Sequence, residues 1–327
     1  MLRKLGFGWR LFWIVRKTGK LAKKAEYEPK KFDLQYRTDY LVRKIKRTLK
    51  TFKINLSVSG YDNLGNGPAV LVGNHQDNVD PILVIYALKK QTEERDAEHK
   101  VPTFLAKHTL QYNKTSRNIL TSINTFFLDR NDPRASLQTY QDFGKFIKEN
   151  KTFGVIFAEG TRNREGDVGV FKPGAFKVAK KELLPIVPFT INNSVQGSSI
   201  KRTQTLNIEV IFHKRIPALS LTTQNTVAIA ERVHKIVKGA FKPPELPFII
   251  SRAEEDETQI EQSKGALKWK KKVARKEQKI VKKEQKERKQ EQRLLEAQER
   301  EDAKYEKYQA KKQSKTNAEI KDETDDK

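Results

Sequence analysis

The feature that most restricts the fold of this chain is the alternation of apolar, strand-like runs with helical segments between residues 52 and 246. Pro81 and Pro133 stand at two helix starts, where a missing N–H breaks no helical hydrogen bond. This order of elements predicts a single α/β domain with a mostly parallel or mixed sheet. Strands are predicted at 52–58, 69–73, 101–106, 124–128, 152–157, 186–191 and 206–212, and helices at 81–90, 134–149, 174–183 and 225–239.

Composition divides the chain into a basic N-terminal region at 1–50, the α/β domain at 51–248 and a charged tail at 249–327. The N-terminal region holds 16 Lys and Arg against 4 Asp and Glu, in a chain whose net charge is +25. Such a density of positive charge indicates a polyanionic partner, either an anionic lipid surface or a nucleic acid.

Residues 5–15 form an apolar run that is much shorter than the roughly 20 residues a membrane-spanning helix needs. In a helix, basic residues at seven-residue spacing would form one stripe, and two Trp residues would lie beside it. That composition is typical of a helix lying in a membrane interface, so we expect a peripheral or monotopic protein on the cytoplasmic face of the cell membrane. The predicted membrane contacts are Arg3, Trp9, Arg10, Phe12, Trp13 and Lys17.

A second helix is predicted to begin at Asp33. It either packs on the core and leaves a basic face in solvent, or contacts the membrane as well. Its apolar stripe is Leu34, Leu41, Ile45, Leu49 and Phe52, and the cations placed elsewhere are Arg37, Arg43, Lys44, Lys46, Arg47 and Lys50.

The tail at 252–313 consists almost entirely of Lys, Arg, Glu, Gln and Ala. Apolar residues recur at seven-residue steps from Ile260 to Val281, but the step breaks at Arg288, too early for the sustained seam of a coiled coil. The prediction is a long solvated helix that fades into an acidic end. A nucleic-acid-binding or scaffold role is the alternative, but the tail has few aromatic side chains to stack on bases, so nucleic acid is not the expected partner.

The chain contains no Cys and only 5 His, none of them in a paired metal-binding pattern. Disulfides, thiolate nucleophiles and Cys-zinc sites are therefore excluded, and no metal site is predicted.

A His and an Asp five residues apart lie where a predicted strand ends and a helix begins. His75 follows the strand at 69–73, and Asp80 precedes Pro81. α/β sheets usually place their chemistry at such junctions. A carboxylate that holds one imidazole nitrogen lets the other take a proton from a hydroxyl, so we expect His75 as general base and Asp80 as its orienting partner. The alternative is that His75 merely caps the helix and Asp80 merely interacts with the helix dipole.

Three further predicted strands are followed by cations, namely Lys107, Arg130 and Arg162. In a parallel sheet these would join His75 along one edge, where two guanidinium groups and an ammonium suit a phosphate monoester. Gly160 would let backbone N–H groups approach a phosphate, and Thr161 would add a hydroxyl donor. Each cation alone is better explained by a surface ion pair, but the repetition at three strand ends favours the anion site.

These segments resemble the sequence motifs of the glycerophospholipid acyltransferase family, and within it the 1-acylglycerol-3-phosphate O-acyltransferases. The resemblance covers about residues 50–215, with four motifs in the family's order. Asp77 stands where Ser is usual, which leaves open whether Asp77 or Asp80 orients His75, and Ala158 stands where Pro is usual. The matching segments are Asn74–Asp80 for the His-x4-Asp motif, Phe127–Arg130 for the second, Phe157–Arg162 for the third and Ile186–Thr190 for the fourth, with Phe171–Ala175 in the segment that usually follows the third.

The resemblance implies transfer of an acyl group from acyl carrier protein or coenzyme A to the hydroxyl of lysophosphatidic acid, giving phosphatidic acid for phospholipid synthesis without a cofactor. Acylation of another phosphate-bearing acceptor, such as glycerol 3-phosphate or a different lysophospholipid, is the alternative. The resemblance also implies that the N-terminal region is an interfacial two-helix motif and that Pro188, in the fourth motif, lies on the acyl side. The implied acceptor-binding residues are Arg130, Glu159, Gly160, Thr161 and Arg162, with Lys107 as a weaker candidate from its position alone.

Overall fold

The computed structural model describes residues 16–94, 97–163, 166–199, 202–246, 263 and 265–293. The chain divides into two compact units, Met1–Ile260 and Glu261–Lys327. Most of the predicted membrane contacts, namely Arg3, Trp9, Arg10, Phe12 and Trp13, lie outside the described residues.

The first unit is built on one seven-stranded mixed sheet whose order is β1-β7-β6-β2-β5-β3-β4. Strands β2 to β6 run in one direction, whereas β7 is antiparallel to β6 and β1 is parallel to β7. The carboxyl ends of five strands therefore meet at one edge. The strands are β1 (Ile54–Ser59), β2 (Ala69–Gly73), β3 (Pro102–Lys107), β4 (Phe126–Leu128), β5 (Phe153–Phe157), β6 (Ile186–Asn192) and β7 (Leu206–Phe212).

Helices cover both faces of this sheet, as the continuous apolar runs of its central strands require. Every residue of β2 and β6 is buried. Three helices begin after a capping side chain, Asp33, Asp132 or Asn225, that accepts a first-turn N–H. The helices of this unit are α1 (16–27), α2 (Leu34–Thr51), α3 (Asp80–Ala87), α4 (Lys114–Ser122), α5 (Pro133–Glu149), α6 (Lys177–Lys181), α7 (Leu219–Thr222) and α8 (Thr226–Gly239).

Two apolar cores lie on opposite faces of the sheet. The first packs α2 and α3 on the sheet, and the second packs α5, α6 and α8. Successive residues of β2 alternate between them, with Leu71 in the first core and Val70 and Val72 in the second. The sheet is thus the middle of three layers, which keeps its carboxyl edge rigid.

The second unit contains one described helix, α9, at 265–293. Within the described ranges, no helix of either unit combines the length and the apolar character that crossing a membrane requires.

The predicted α/β fold with a mixed sheet is confirmed, and each predicted strand is present within two residues of its predicted bounds. The helix predicted at 174–183 is wrong in extent. Pro173–Phe176 forms a 3₁₀ turn before the short α6, and Leu183 adopts a positive φ of 53° that ends the helical path. Helix α4 was not predicted, because its Thr, Ser and Asn residues are weak helix formers.

The prediction that Arg37 lies with the exposed cations of α2 is also wrong. Its side chain is buried, and its guanidinium donates to the Asn124 side chain (2.7 Å) and to the Asp33 carbonyl (3.1 Å). Burial lowers the pKa of Arg37. The contact with Asn124 ties α2 to the residues just before β4.

Candidate active site

The loop after β2 is anchored from its first residue. Gly73, the last residue of β2, pairs with Phe157, the last residue of β5, and with Phe189 of β6, which continues for three more residues. A Cβ at Gly73 would lie 2.4 Å from the Phe189 carbonyl oxygen, which only glycine avoids. The side chain of Asn74 then donates to the Ile191 carbonyl (2.9 Å) and accepts from the Ile191 N–H (2.8 Å). These contacts fix the point from which His75 leaves the sheet.

His75 and Asp80 form the pair that their spacing predicted. The distance from His75 Nδ1 to Asp80 Oδ2 is 2.8 Å, with the His75 side chain 18% exposed and the Asp80 side chain fully buried. The same carboxylate oxygen accepts the N–H groups of Gln76 (2.7 Å) and Asp77 (2.9 Å). Since a carboxylate only accepts, Nδ1 carries the hydrogen and Nε2 keeps the lone pair that a general base needs.

A second carboxylate, Glu159, holds the backbone of this loop. It is buried, and its two oxygens accept the N–H groups of His75 (2.7 Å) and Gly169 (2.9 Å). Burial raises the pKa of Glu159, although both N–H donors act in the opposite direction. The resemblance implied acceptor binding for Glu159. In the structure both of its oxygens support the loop. Its assignment to the acceptor site stays a prediction.

The ring of His75 is also fixed by contacts from β5 and the loop that follows. Phe157 stacks on the imidazole with ring centroids 4.3 Å apart, and the Asn163 N–H donates to the His75 carbonyl (2.8 Å). The imidazole therefore has its plane set by Phe157 and its tautomer set by Asp80.

Asp77 makes different contacts from Asp80. One oxygen of Asp77 accepts the N–H groups of Val79 (2.9 Å) and Ser198 (2.9 Å), which ties the His75 loop to the turn after β6. Burial raises the pKa of Asp77, and the charge of Asp80 raises it further. The structure thus brings Asp80, rather than Asp77, to the imidazole.

The cations predicted at this edge occupy two positions. Arg162 donates to the side chain of Asn78 (2.9 Å), within the His75 loop. Arg130 is exposed and donates to the Gly160 carbonyl (2.8 Å). Gly160 has a φ of 77°, and a Cβ there would lie 3.1 Å from the Arg130 guanidinium. The turn after β5 therefore needs glycine at the position where Arg130 packs on it.

A cavity of about 360 Å³ opens beside this turn, at the ends of β3, β4 and β5. Its lining is basic where Lys107, Arg130, Lys172 and Lys177 lie, and apolar elsewhere. Phe157 is shared, because it lines the cavity and stacks on His75. Anionic and apolar parts of one ligand could thus be held next to the imidazole.

The cavity lining includes Tyr140, Lys172 and Lys177, which were not predicted as site residues. Lys172 lies inside the segment 171–175, where a basic residue beside Pro-Gly was the available signal. Tyr140 carries no such signal, because it is one of several apolar or aromatic residues on α5. Its burial raises the pKa of its phenol, while Arg130 lowers it.

Two predicted residues stand apart from these contacts. Thr161 is exposed in the turn between Gly160 and Arg162. Pro188 is buried within β6, where it pairs with Val72 and its carbonyl accepts the His213 N–H (2.8 Å).

The comparisons with known proteins all identify acyltransferases as relatives. The sequence model of the Acyltransferase family matches residues 55–192. The chain is 32% identical over 181 residues to the 1-acyl-sn-glycerol-3-phosphate acyltransferase of Borreliella burgdorferi, a match that covers 54% of this chain and 68% of that protein. This chain belongs to the 1-acyl-sn-glycerol-3-phosphate acyltransferase family.

Two further relatives have lower sequence identity to this chain. A probable 1-acyl-sn-glycerol-3-phosphate acyltransferase of Mycoplasma genitalium is 29% identical over 184 residues, covering 53% of this chain and 66% of that protein. The crystal structure of the 1-acyl-sn-glycerophosphate (LPA) acyltransferase PlsC from Thermotoga maritima is 18% identical, with a TM-score of 0.54 over 73% of this chain and 94% of that chain. The latter likeness shows that this chain has the same fold.

The raised pKa of Asp77 gives this family member a testable dependence of stability on pH. Because the pKa is higher in the folded state, the wild-type protein loses folding free energy as the pH rises above the ordinary Asp value of about 4. In Asp77→Asn the amide oxygen can still accept both N–H groups but no proton is lost. The free energy of unfolding of the variant minus that of wild type, measured with urea from pH 4 to pH 8, should therefore increase as the pH rises.

Asp142→Asn, at an exposed position on α5, controls for the loss of one negative charge. A variant that became less stable relative to wild type with rising pH would show that the Asp77 charge is stabilising.

Proposed function

We propose that this protein transfers an acyl group from an acyl thioester to the free hydroxyl of lysophosphatidic acid and so produces phosphatidic acid. The observation that carries the proposal is the His75–Asp80 pair (2.8 Å) at the strand edge that also holds Arg130, Arg162 and the basic cavity. The names of the relatives support this choice of acceptor. Either acyl carrier protein or coenzyme A would present the thioester.

The reaction begins with removal of a proton from the acceptor hydroxyl. Asp80 holds Nδ1–H, so Nε2 of His75 takes this proton while the hydroxyl oxygen attacks the thioester carbonyl. The imidazolium that forms is stabilised by the buried Asp80 carboxylate. As the tetrahedral intermediate collapses, the C–S bond breaks and the proton on Nε2 passes to the leaving thiolate. The ester and a free thiol are the products.

The acceptor phosphate is held by the cations on the two sides of Gly160. Guanidinium groups can engage two phosphate oxygens at once, which favours Arg130 and Arg162 as its ligands. Lys107 and Lys172 add positive charge in the cavity. Gly160 and Thr161 form the turn between the two Arg residues, so both act by shaping the phosphate site. Pro188 remains our candidate on the acyl side.

The membrane surface is the place where such an acceptor resides. We infer that the protein binds the cytoplasmic face of the cell membrane peripherally, through Arg3, Trp9, Arg10, Phe12, Trp13 and Lys17. Lys17 is exposed on α1, whereas Thr18, Leu21 and Ala22 are buried, so α1 offers a polar face while packing on its own unit. This arrangement suits a helix that lies on a surface.

The first test concerns the base. His75→Ala should lower kcat by roughly 10²–10⁴-fold, the usual contribution of a general base. Asp80→Asn should lower kcat less, because an amide oxygen can still orient the ring although the stabilising charge is gone. Asp77→Asn should lower kcat least. Turnover is measured by thin-layer chromatography with lysophosphatidic acid and each donor, and urea unfolding checks that each variant is folded. A larger loss in Asp77→Asn than in Asp80→Asn would reverse the assignment.

The second test concerns the phosphate site. Arg162→Lys should raise the KM for lysophosphatidic acid and leave the donor KM nearly unchanged, because an ammonium replaces a guanidinium that can bond two oxygens. Loss of one charge-assisted contact predicts a fall in kcat/KM of about tenfold to a hundredfold. Arg232→Lys, at an exposed position on α8, is the matched control. A change confined to the donor KM would assign Arg162 to the donor.

The third test concerns the membrane. Trp9→Ala/Trp13→Ala should weaken sedimentation of the full chain with anionic liposomes, because indole rings anchor a helix at the interface. Point changes are preferable to removal of residues 1–24, which would strip the buried Leu21 and Ala22 from the core. Leu219→Ala, which removes an exposed apolar side chain, is the control and should leave binding unchanged. Equal binding of both variants would move the contact elsewhere.

A further inference from the structure

Helix α9 carries a large positive charge that the proposed reaction does not use. Its residues 265–293 include 13 Lys and Arg and 4 Glu, a net charge of +9. Five large apolar or aromatic residues are interspersed with these charges: Leu267, Trp269, Val273, Ile280 and Val281.

The charges of α9 are segregated around the helix axis. At 3.6 residues per turn, every Lys and Arg except Lys270 and Arg288 falls within an arc of about 140°. We call these residues the basic face of α9. All of them are exposed, and none of the four Glu lies within the arc. The central row of the basic face consists of Lys268, Lys272, Arg275, Lys279, Lys282, Lys286 and Arg293.

This arrangement works against the helix when it is alone in water. Like charges lie four residues apart in pairs such as Lys268–Lys272 and Lys282–Lys286, and such pairs destabilise a helix. An ion pair between Lys283 and Glu287 (3.4 Å) offsets part of this repulsion. A helix stabilised only by its own charges would distribute Glu among the Lys residues. The segregation of charge therefore indicates that the helix binds an external anionic surface.

We propose that the basic face of α9 binds the surface of an anionic lipid bilayer. Nine of its eleven cations are Lys, and an ammonium is a point charge that suits diffuse surface charge. A nucleic-acid interface would favour Arg, whose planar fork matches phosphates and bases. Trp269 borders the basic face, with the Lys272 ammonium 5.9 Å from its ring centroid, and Trp is enriched where membrane meets water.

This inference goes beyond the proposed reaction and stands without it, because it concerns adsorption by a helix in the second unit. It also differs from the N-terminal contact, since its cations lie on α9 rather than in the N-terminal region at 1–50. The partner is a lamellar surface that contains an acidic phospholipid.

The test compares two double variants of the full chain with the same loss of charge. Lys272→Gln/Lys279→Gln removes two cations from the basic face, and Lys270→Gln/Arg288→Gln removes the two cations outside it. Partition onto vesicles of phosphatidylcholine, with and without phosphatidylglycerol, is measured at low salt. Each Lys near an anionic surface strengthens binding on the order of fivefold. The first variant should therefore bind the anionic vesicles about thirtyfold more weakly. The second should change by no more than a few-fold.

Circular dichroism gives an independent readout. Anionic vesicles should raise the helix content of the wild-type chain more than that of Lys272→Gln/Lys279→Gln, because the surface relieves repulsion along the basic face. Equal losses in the two double variants would show that only net charge matters and would overturn the proposal. Unchanged vesicle binding together with weakened binding of duplex RNA in a gel shift would assign the basic face to nucleic acid instead.

Discussion

The candidate site depends on one buried carboxylate oxygen. Oδ2 of Asp80 accepts from His75 Nδ1 and from the backbone of Gln76 and Asp77, so it fixes the imidazole and the loop that carries it. Burial of a carboxylate without partners costs several kcal/mol, and charge-assisted bonds to N–H groups offset that cost. Because Asp80 is also the first residue of α3, the positive end of the helix dipole lies beside its charge. A group held so firmly can stabilise an imidazolium without reorganising.

Around this oxygen, the sheet supplies three further supports for His75. Asn74 binds the Ile191 backbone of β6, Glu159 accepts the His75 N–H, and Phe157 stacks on the imidazole. Each support comes from a strand next to β2 or the loop after it, because β2 lies between β5 and β6. A loop whose backbone polar groups are engaged in this way loses little further entropy when it binds a ligand. The central position of β2 therefore accounts for the rigidity of the candidate base.

The sequence was informative wherever local pattern decides structure, and less so where distant segments meet. Apolar runs bounded by turn residues predicted the strands, and the strand-to-helix junction predicted the pairing of His75 with Asp80. The pattern could not show that β1 pairs with β7, or that Arg37 is buried against Asn124, because both depend on contacts between remote segments. The same limit applies to the cavity, where Tyr140 and Lys172 meet Arg130 only after α5 packs beside β5. For Glu159 the position at the strand edge was predicted, but its two backbone partners were not.

The turn at Gly160 connects the geometry of the sheet to the proposed recognition of phosphate. Its positive φ of 77° leaves its carbonyl bonded to Arg130, whose guanidinium and the Lys172 side chain would both crowd a Cβ there. Arg130 is held by a neutral oxygen in this contact, so its full positive charge is retained while its position is restricted. A cation prepared in this way can bind an anion without first breaking an ion pair. Arg162 is held by its hydrogen bond to the side chain of Asn78, in the loop of His75. A phosphate bound by the two guanidinium groups would therefore be positioned relative to the loop that carries the base. In this way one short turn can set the distance between a bound phosphate and a reacting hydroxyl.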